Sequence, residues 1–106
     1  MAFNIKQNDT SPSLRATLTD ADLNPINLTG ASVQFHMKSL DGALKIDTAM
    51  TIVDAAGGIV QYDWQTGDTD TVGTYNVEFE VTYSDSSIET FPNNGNKVVS
   101  VVRELN

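Results

Sequence analysis

The 106-residue chain contains no cysteine. Disulfides, thiolate nucleophiles and zinc–thiolate sites are therefore excluded, and whatever fold it adopts must be held by packing alone. Cations are scarce as well: six Lys and Arg stand against 14 Asp and Glu, for a net charge of −8. Nucleic-acid binding needs clustered positive charge, whereas Lys6, Arg15, Lys38, Lys45, Lys97 and Arg103 are scattered along the chain. The same deficit disfavours anionic membrane surfaces and favours solubility, or a basic protein partner. No apolar run reaches bilayer-spanning length, and Met1–Lys6 lacks the basic and apolar regions of a signal peptide. Synthesis and folding in a cytoplasm is the resulting expectation, under which the sequons at Asn8 and Asn27 are chance matches.

What is present is alternation. Tyr75, Val77, Phe79, Val81 and Tyr83 interleave with Asn76, Glu78, Glu80 and Thr82. Period two means a strand with one wall on a core and the other in water. The same pattern recurs at Leu14–Thr19, Val33–Lys38 and Val60–Trp64. Lys45–Val53 reads as one further strand, with Ile46, Met50 and Ile52 on one parity. Ile88–Phe91 and Val98–Val102 follow, the valines of the last suggesting burial on both sides. Phe3–Gln7 reads as an N-terminal edge strand. Turn chemistry separates these runs at Asp22–Pro25, Asp41-Gly42, Ala56–Gly58, Ser84–Ser86 and Pro92–Asn96. No segment has helical periodicity, and no linker or repeat divides the chain. Length and turn spacing point to a single all-β domain over residues 1–106, a sandwich or barrel of 7–8 short strands. Its expected core is Leu14, Leu18, Val33, Phe35, Ile52, Val60, Tyr62, Tyr75, Val77, Phe79, Val81 and Val101. The free edges are expected at Phe3–Gln7 and after Pro92.

Candidate chemistry is thin. Asp63, Asp68 and Asp70 lie close together around Gly67, the last two in a polar connection from Gln65 to Val72. Oxygen-rich loops can hold calcium, but the spacing is not that of an EF-hand and no bidentate Glu closes it, so a solvated loop is the stronger reading. His36, the single histidine, falls on the polar parity of its strand and reads as an exposed residue. No Gly-x-Ser-x-Gly elbow accompanies it. Glu78 and Glu80 resemble a glycosidase pair only in proximity, since a solvated sheet face separates no pKa values and forms no cleft. Trp64, Tyr62, Tyr75 and Tyr83 could stack sugars, yet each shares parity with apolar neighbours and reads as core, Trp64 being nearest to an exception because it ends its strand. Tyr75 stands where a tyrosine corner would bond its hydroxyl back to the preceding connection. Gly57-Gly58 precedes a strand, so no helix terminus receives an anion there. No catalytic, cofactor-binding or metal residues are assigned, and no cofactor is expected.

Several segments in order carry a resemblance. They are Ile5-Lys6-Gln7-Asn8-Asp9-Thr10-Ser11-Pro12, Leu14–Asp20, Asn24–Ala31, Val33–Met37, Gly58–Trp64, Gly73-Thr74-Tyr75, and Phe79–Tyr83 through Phe91-Pro92. Together they resemble the immunoglobulin-like N-terminal domain of phage baseplate upper proteins. The resemblance implies an all-β, immunoglobulin-like antiparallel two-sheet sandwich of 7–8 strands and a non-enzymatic virion component of a tailed bacteriophage, made in the host cytoplasm. Its implied partners are other virion proteins of tail, baseplate or capsid, with an oligomeric arrangement in the particle and no nucleic acid or membrane. Longer members carry further regions that help attach receptor-binding machinery. Read as a lone domain ending at Asn106, this chain would serve as an assembly adaptor of tail or baseplate. The alternatives are a capsid decoration protein or a host-surface glycan-binding module. The matching motifs are core and turn positions, so no site residues transfer. Val77 stands two residues after Tyr75, where antibody domains carry their second cysteine, so packing must replace that bridge.

Overall fold

The computed structural model describes residues 2–92 and 97–105. Nine strands are found among them: β1 (Ala2–Lys6), β2 (Leu14–Thr17), β3 (Ser32–Ser39), β4 (Leu44–Ala49), β5 (Thr51–Asp54), β6 (Ile59–Tyr62), β7 (Gly73–Thr82), β8 (Ile88–Phe91) and β9 (Lys97–Val102). No helix occurs among the described residues. Two sheets face each other. The larger runs β1-β9-β7-β3-β4, and the smaller runs β2-β6-β5. β7 is the hub. Its whole length pairs antiparallel with β3, from Ser32↔Thr82 to Ser39↔Tyr75. Its other side is shared end to end by β9, against Gly73–Val77, and β8, against Phe79–Thr82.

The expected all-β sandwich is the fold observed, with particular departures. The stretch 45–53 is two strands, not one. β4 belongs to the large sheet and β5 to the small one, with Met50 between them donating its N–H to the Val33 carbonyl at 2.9 Å. This division raises the strand number to nine. One pair is parallel rather than antiparallel: β1 lies along β9, Ala2↔Val98 to Lys6↔Val102. β1 is an edge as expected, but β9, which follows Pro92, is interior between β1 and β7. The Asn93–Asn96 part of the turn proposed after Pro92 lies outside the described residues. β9 is also not buried on both sides, because Val99 and Val101 face the core while Val102 is 40% exposed.

The core lies between the sheets. Tyr75, Val77, Phe79 and Val81 of β7 are all buried, as alternation requires. Phe35 of β3 is the centre: its ring stacks on Tyr62 across the sandwich at 4.8 Å and on Phe79 beside it at 5.8 Å. Trp64 closes one end of the core, edge-on to Tyr62 at 5.3 Å and to Phe35 at 6.2 Å. It is buried, so it is no exception to the core reading. Ile52 is the one expected core residue that only packs against the cluster from its margin, and Tyr83 is likewise partly buried. Loop residues complete the core. Leu28 is buried from the 20–31 connection, held by its N–H to the Ala55 carbonyl at 2.8 Å. Thr69 is buried within the connection that the sequence presents as solvated, its hydroxyl donating to the Asp9 carbonyl at 2.8 Å.

Turns follow their chemistry. The β3–β4 hairpin closes through Gly42 N–H to the Ser39 carbonyl, with Gly42 at φ 92°. Gly58 is the position that no other residue fits. It sits at φ 67°, and a Cβ there would lie 2.7 Å from the Leu18 carbonyl oxygen and 2.9 Å from that of Ile26.

Candidate docking surfaces

The residues singled out for chemistry are separated by the fold. Asp63 accepts hydrogen bonds from Ser13 Oγ (2.5 Å) and Gln61 Nε2 (2.8 Å) on the small sheet. Those two donors hold its carboxyl below the usual carboxylate range. Asp68 accepts from the Tyr62 hydroxyl and from Gln65 N–H at 2.8 Å. Burial, then the Asp68 carboxylate beside it, pushes the Tyr62 phenol well above its ordinary value. Asp70 pairs with Lys45 Nζ at 2.6 Å, and that bond first, with Thr71 second, lowers its pKa. Among the described residues no group of three or more His, Asp or Glu converges as a metal site. Each carboxylate serves as a local clasp instead.

His36 is half-buried rather than fully exposed. It lies between Asp47 of β4 and Glu78 of β7 in the cross-strand register, with Nε2 3.1 Å from Asp47 Oδ1. Asp47 also accepts from Gln34 Nε2 at 2.9 Å. This polar row runs along the outer wall of the large sheet and ties β4 to β3. It resembles two members of a triad, but among the described residues no hydroxyl is bonded to the imidazole. Glu78 and Glu80 stand on that outer wall, in register with His36 and Gln34.

The aromatic rings turn inward. Tyr62, Trp64, Tyr75, Phe35, Phe79 and Phe91 are buried, and Phe3 and Tyr83 are partly buried. A glycan-stacking platform needs open ring faces, and each of these eight rings is buried or partly buried. Tyr75 makes the expected corner, its hydroxyl donating to the Thr71 carbonyl at 2.6 Å. The Tyr83 hydroxyl bonds to Glu89 at 2.8 Å, and burial first, then Glu89, pushes it up to about 12. Lys97 lies 5.6 Å above the Phe79 ring, and burial lowers its pKa.

Surface for association therefore lies at edges and loop ends. β1 and β4 bound the large sheet, β8 beside β7 also has an unpaired outer side among the described residues, and β2 and β5 bound the small sheet. β5 carries a register shift between Ile52 and Asp54, which bends that edge away from regular pairing. β4 keeps regular register from Ile46 to Ala49, its own shift lying at the hairpin end beside Lys38. Next to it opens a cleft of about 450 Å³, bounded by β4 on one side and by Gln61–Asp68 on the other. Thr48 exposes what the fold does there. It is opposite Phe35 in register and so shares the inward parity, yet it is exposed. The chain leaves the large sheet at Met50 to form β5, and that portion of the small sheet does not extend under β4.

The sequence reading missed this cleft, Thr69 and Leu28. The available signal for the first was Met50, where one apolar parity passes between two strands without a turn residue to mark the change.

The fold is similar to that in the crystal structure of CopC from Methylosinus trichosporium OB3b, at 15% sequence identity and a TM-score of 0.57, covering 98% of this chain and 86% of that one. No curated protein matches the chain. The family model described as the BppU N-terminal domain matches residues 2–98. With the match running from β1 to the start of β9 of a two-sheet sandwich, the chain belongs to the BppU N-terminal domain family, a family of structural domains of the phage baseplate.

Proposed function

We propose that this chain acts as a non-enzymatic assembly module of a phage virion, an adaptor in the tail or baseplate that works by docking to other virion proteins. It does so as a single sandwich domain over residues 1–106, in several copies per particle, after synthesis in the host cytoplasm. The observation that carries this reading is the family match across residues 2–98. The surface supports it. Its prominent acids are engaged in clasps with hydroxyl, amide and ammonium donors, and its aromatic rings are used for the core. An adaptor needs rigidity and edges, and both are present.

The test is mass spectrometry of purified virions, followed by electron microscopy to place the chain in the particle map. Density for the sandwich at the tail tip, in copies related by the local symmetry, is the expected result. Absence of the chain from purified particles would sink the proposal, and density on the capsid would move the module from tail to head.

A further inference from the structure

We propose that the free edge of β4 is the site at which an extended, basic segment of a neighbouring virion protein adds as a further strand, placing Lys or Arg side chains in the cleft beside it. This rests on the assembly role above and names the surface and the chemistry of the partner.

Three observations converge on β4. Its outer side is unpaired among the described residues, and its register from Ile46 to Ala49 is regular, so the backbone groups of that edge are set out as a template. The other edges are less suited. β5 is four residues long with a register shift, and β2 and β8 are also only four residues long, against six for β4. β1 is a parallel edge. Second, Thr48 has inward parity but no sheet beneath it, so a side chain from an added strand finds room rather than a packed core.

Third, the charge around the cleft is hydrogen-bonded without being neutralised. Asp63 and Asp68 receive only neutral donors, a serine, a glutamine, a tyrosine and a backbone N–H. Lys45, the one ammonium at the cleft among the described residues, is already committed to Asp70. Hydrogen bonds orient these carboxylates, but a cation is still needed to offset their field. With a net charge of −8, a second copy of this chain is a poor source of it.

Two readouts on assembled particles test this. p-Benzoylphenylalanine substituted for Thr48 is expected to crosslink, in intact virions, to a Lys- or Arg-bearing segment of a different virion protein. Separately, Thr48→Lys and Asp63→Lys, each checked for a native circular dichroism spectrum, should lower incorporation of the chain into particles about tenfold, as like charge at a docking surface does. Asp22→Lys, in the exposed turn after β2, carries the same charge change as Asp63→Lys and should incorporate within about twofold of the unmodified chain. The proposal is overturned by a crosslink confined to another copy of this chain. No crosslink from particles holding normal amounts of the chain overturns it too, as does undiminished incorporation of both lysine variants. Absence of the unmodified chain from particles instead removes the assembly role itself, and this inference with it.

Discussion

β7 and β4 obey the same alternation and meet opposite fates. On β7 every inward residue from Tyr75 to Val81 is buried, because the strand is central in its sheet and lies over the small sheet. On β4 the inward parity includes Ile46, which is buried, and Thr48, which is exposed. The two strands differ in what lies opposite them. Alternation states which way a side chain points, whereas burial needs a second layer in that direction. The centre of the large sheet is therefore scaffold, and the margin where the chain changes sheets is the part left available for a partner.

Substitutions can break this contrast, beginning with the largest effect. Phe79→Ala removes a ring from the stack with Phe35 and should cost about 3–5 kcal/mol, measured by chemical denaturation. A loss below about 1 kcal/mol would mean that β7 is not the centre. Gly58→Ala forces a Cβ against the Leu18 and Ile26 carbonyls at positive φ, and about 2–3 kcal/mol is expected. That loss would show that β6 must enter the small sheet closely packed against its neighbours. Tyr75→Phe keeps the ring and deletes the bond to the Thr71 carbonyl, for about 0.5–1.5 kcal/mol in the same assay. Equal stability of the two proteins would remove the corner as a contributor.

Smaller effects belong to the margin. Asp70 has its pKa lowered by Lys45, so the stability it contributes is present above the ordinary carboxylate value and is lost as pH falls through the lowered folded value. Lys45→Met should flatten the acid limb of a plot of melting temperature against pH by slightly lowering the neutral region, the two proteins converging at low pH. Tyr83 acts in the opposite sense. Its phenol is raised to about 12, so its contribution is complete below its ordinary value near 10 and declines as pH rises toward 12. Smallest of all, Thr48→Ala should change stability by less than about 0.5 kcal/mol despite its inward parity. A cost comparable to that of a core truncation would show that β4 is covered after all, and the contrast with β7 would disappear.

Much of the sandwich was legible because β3, β6 and β7 each lie between a core and solvent over their full length, the situation that writes a clean period of two. The tyrosine corner was legible because Tyr75 follows Gly73 at the start of the long strand, and the structure returns its hydroxyl to Thr71. The split at Met50 was not. Ile46, Met50 and Ile52 keep one parity across a change of sheet, and neither Gly nor Pro marks it. Burial of Leu28 and Thr69 was hidden because both lie in connections, where sheltering comes from distant chain: Ala55 for the first and Asp9 for the second. The acidic run was visible as a cluster, but Asp63, Asp68 and Asp70 are divided among Ser13, Tyr62 and Lys45, and two of those donors, Ser13 and Lys45, come from distant parts of the chain.

By itself the sequence determined that this would be a cysteine-free, strongly acidic β protein whose strands each have an apolar wall, because composition and period two are local properties. Tertiary structure alone decided which edges stay open and which inward residue is left uncovered. Those depend on where the two sheets overlap, and a chain that passes from one sheet to the other within a single residue at Met50 leaves no local trace of where that overlap ends.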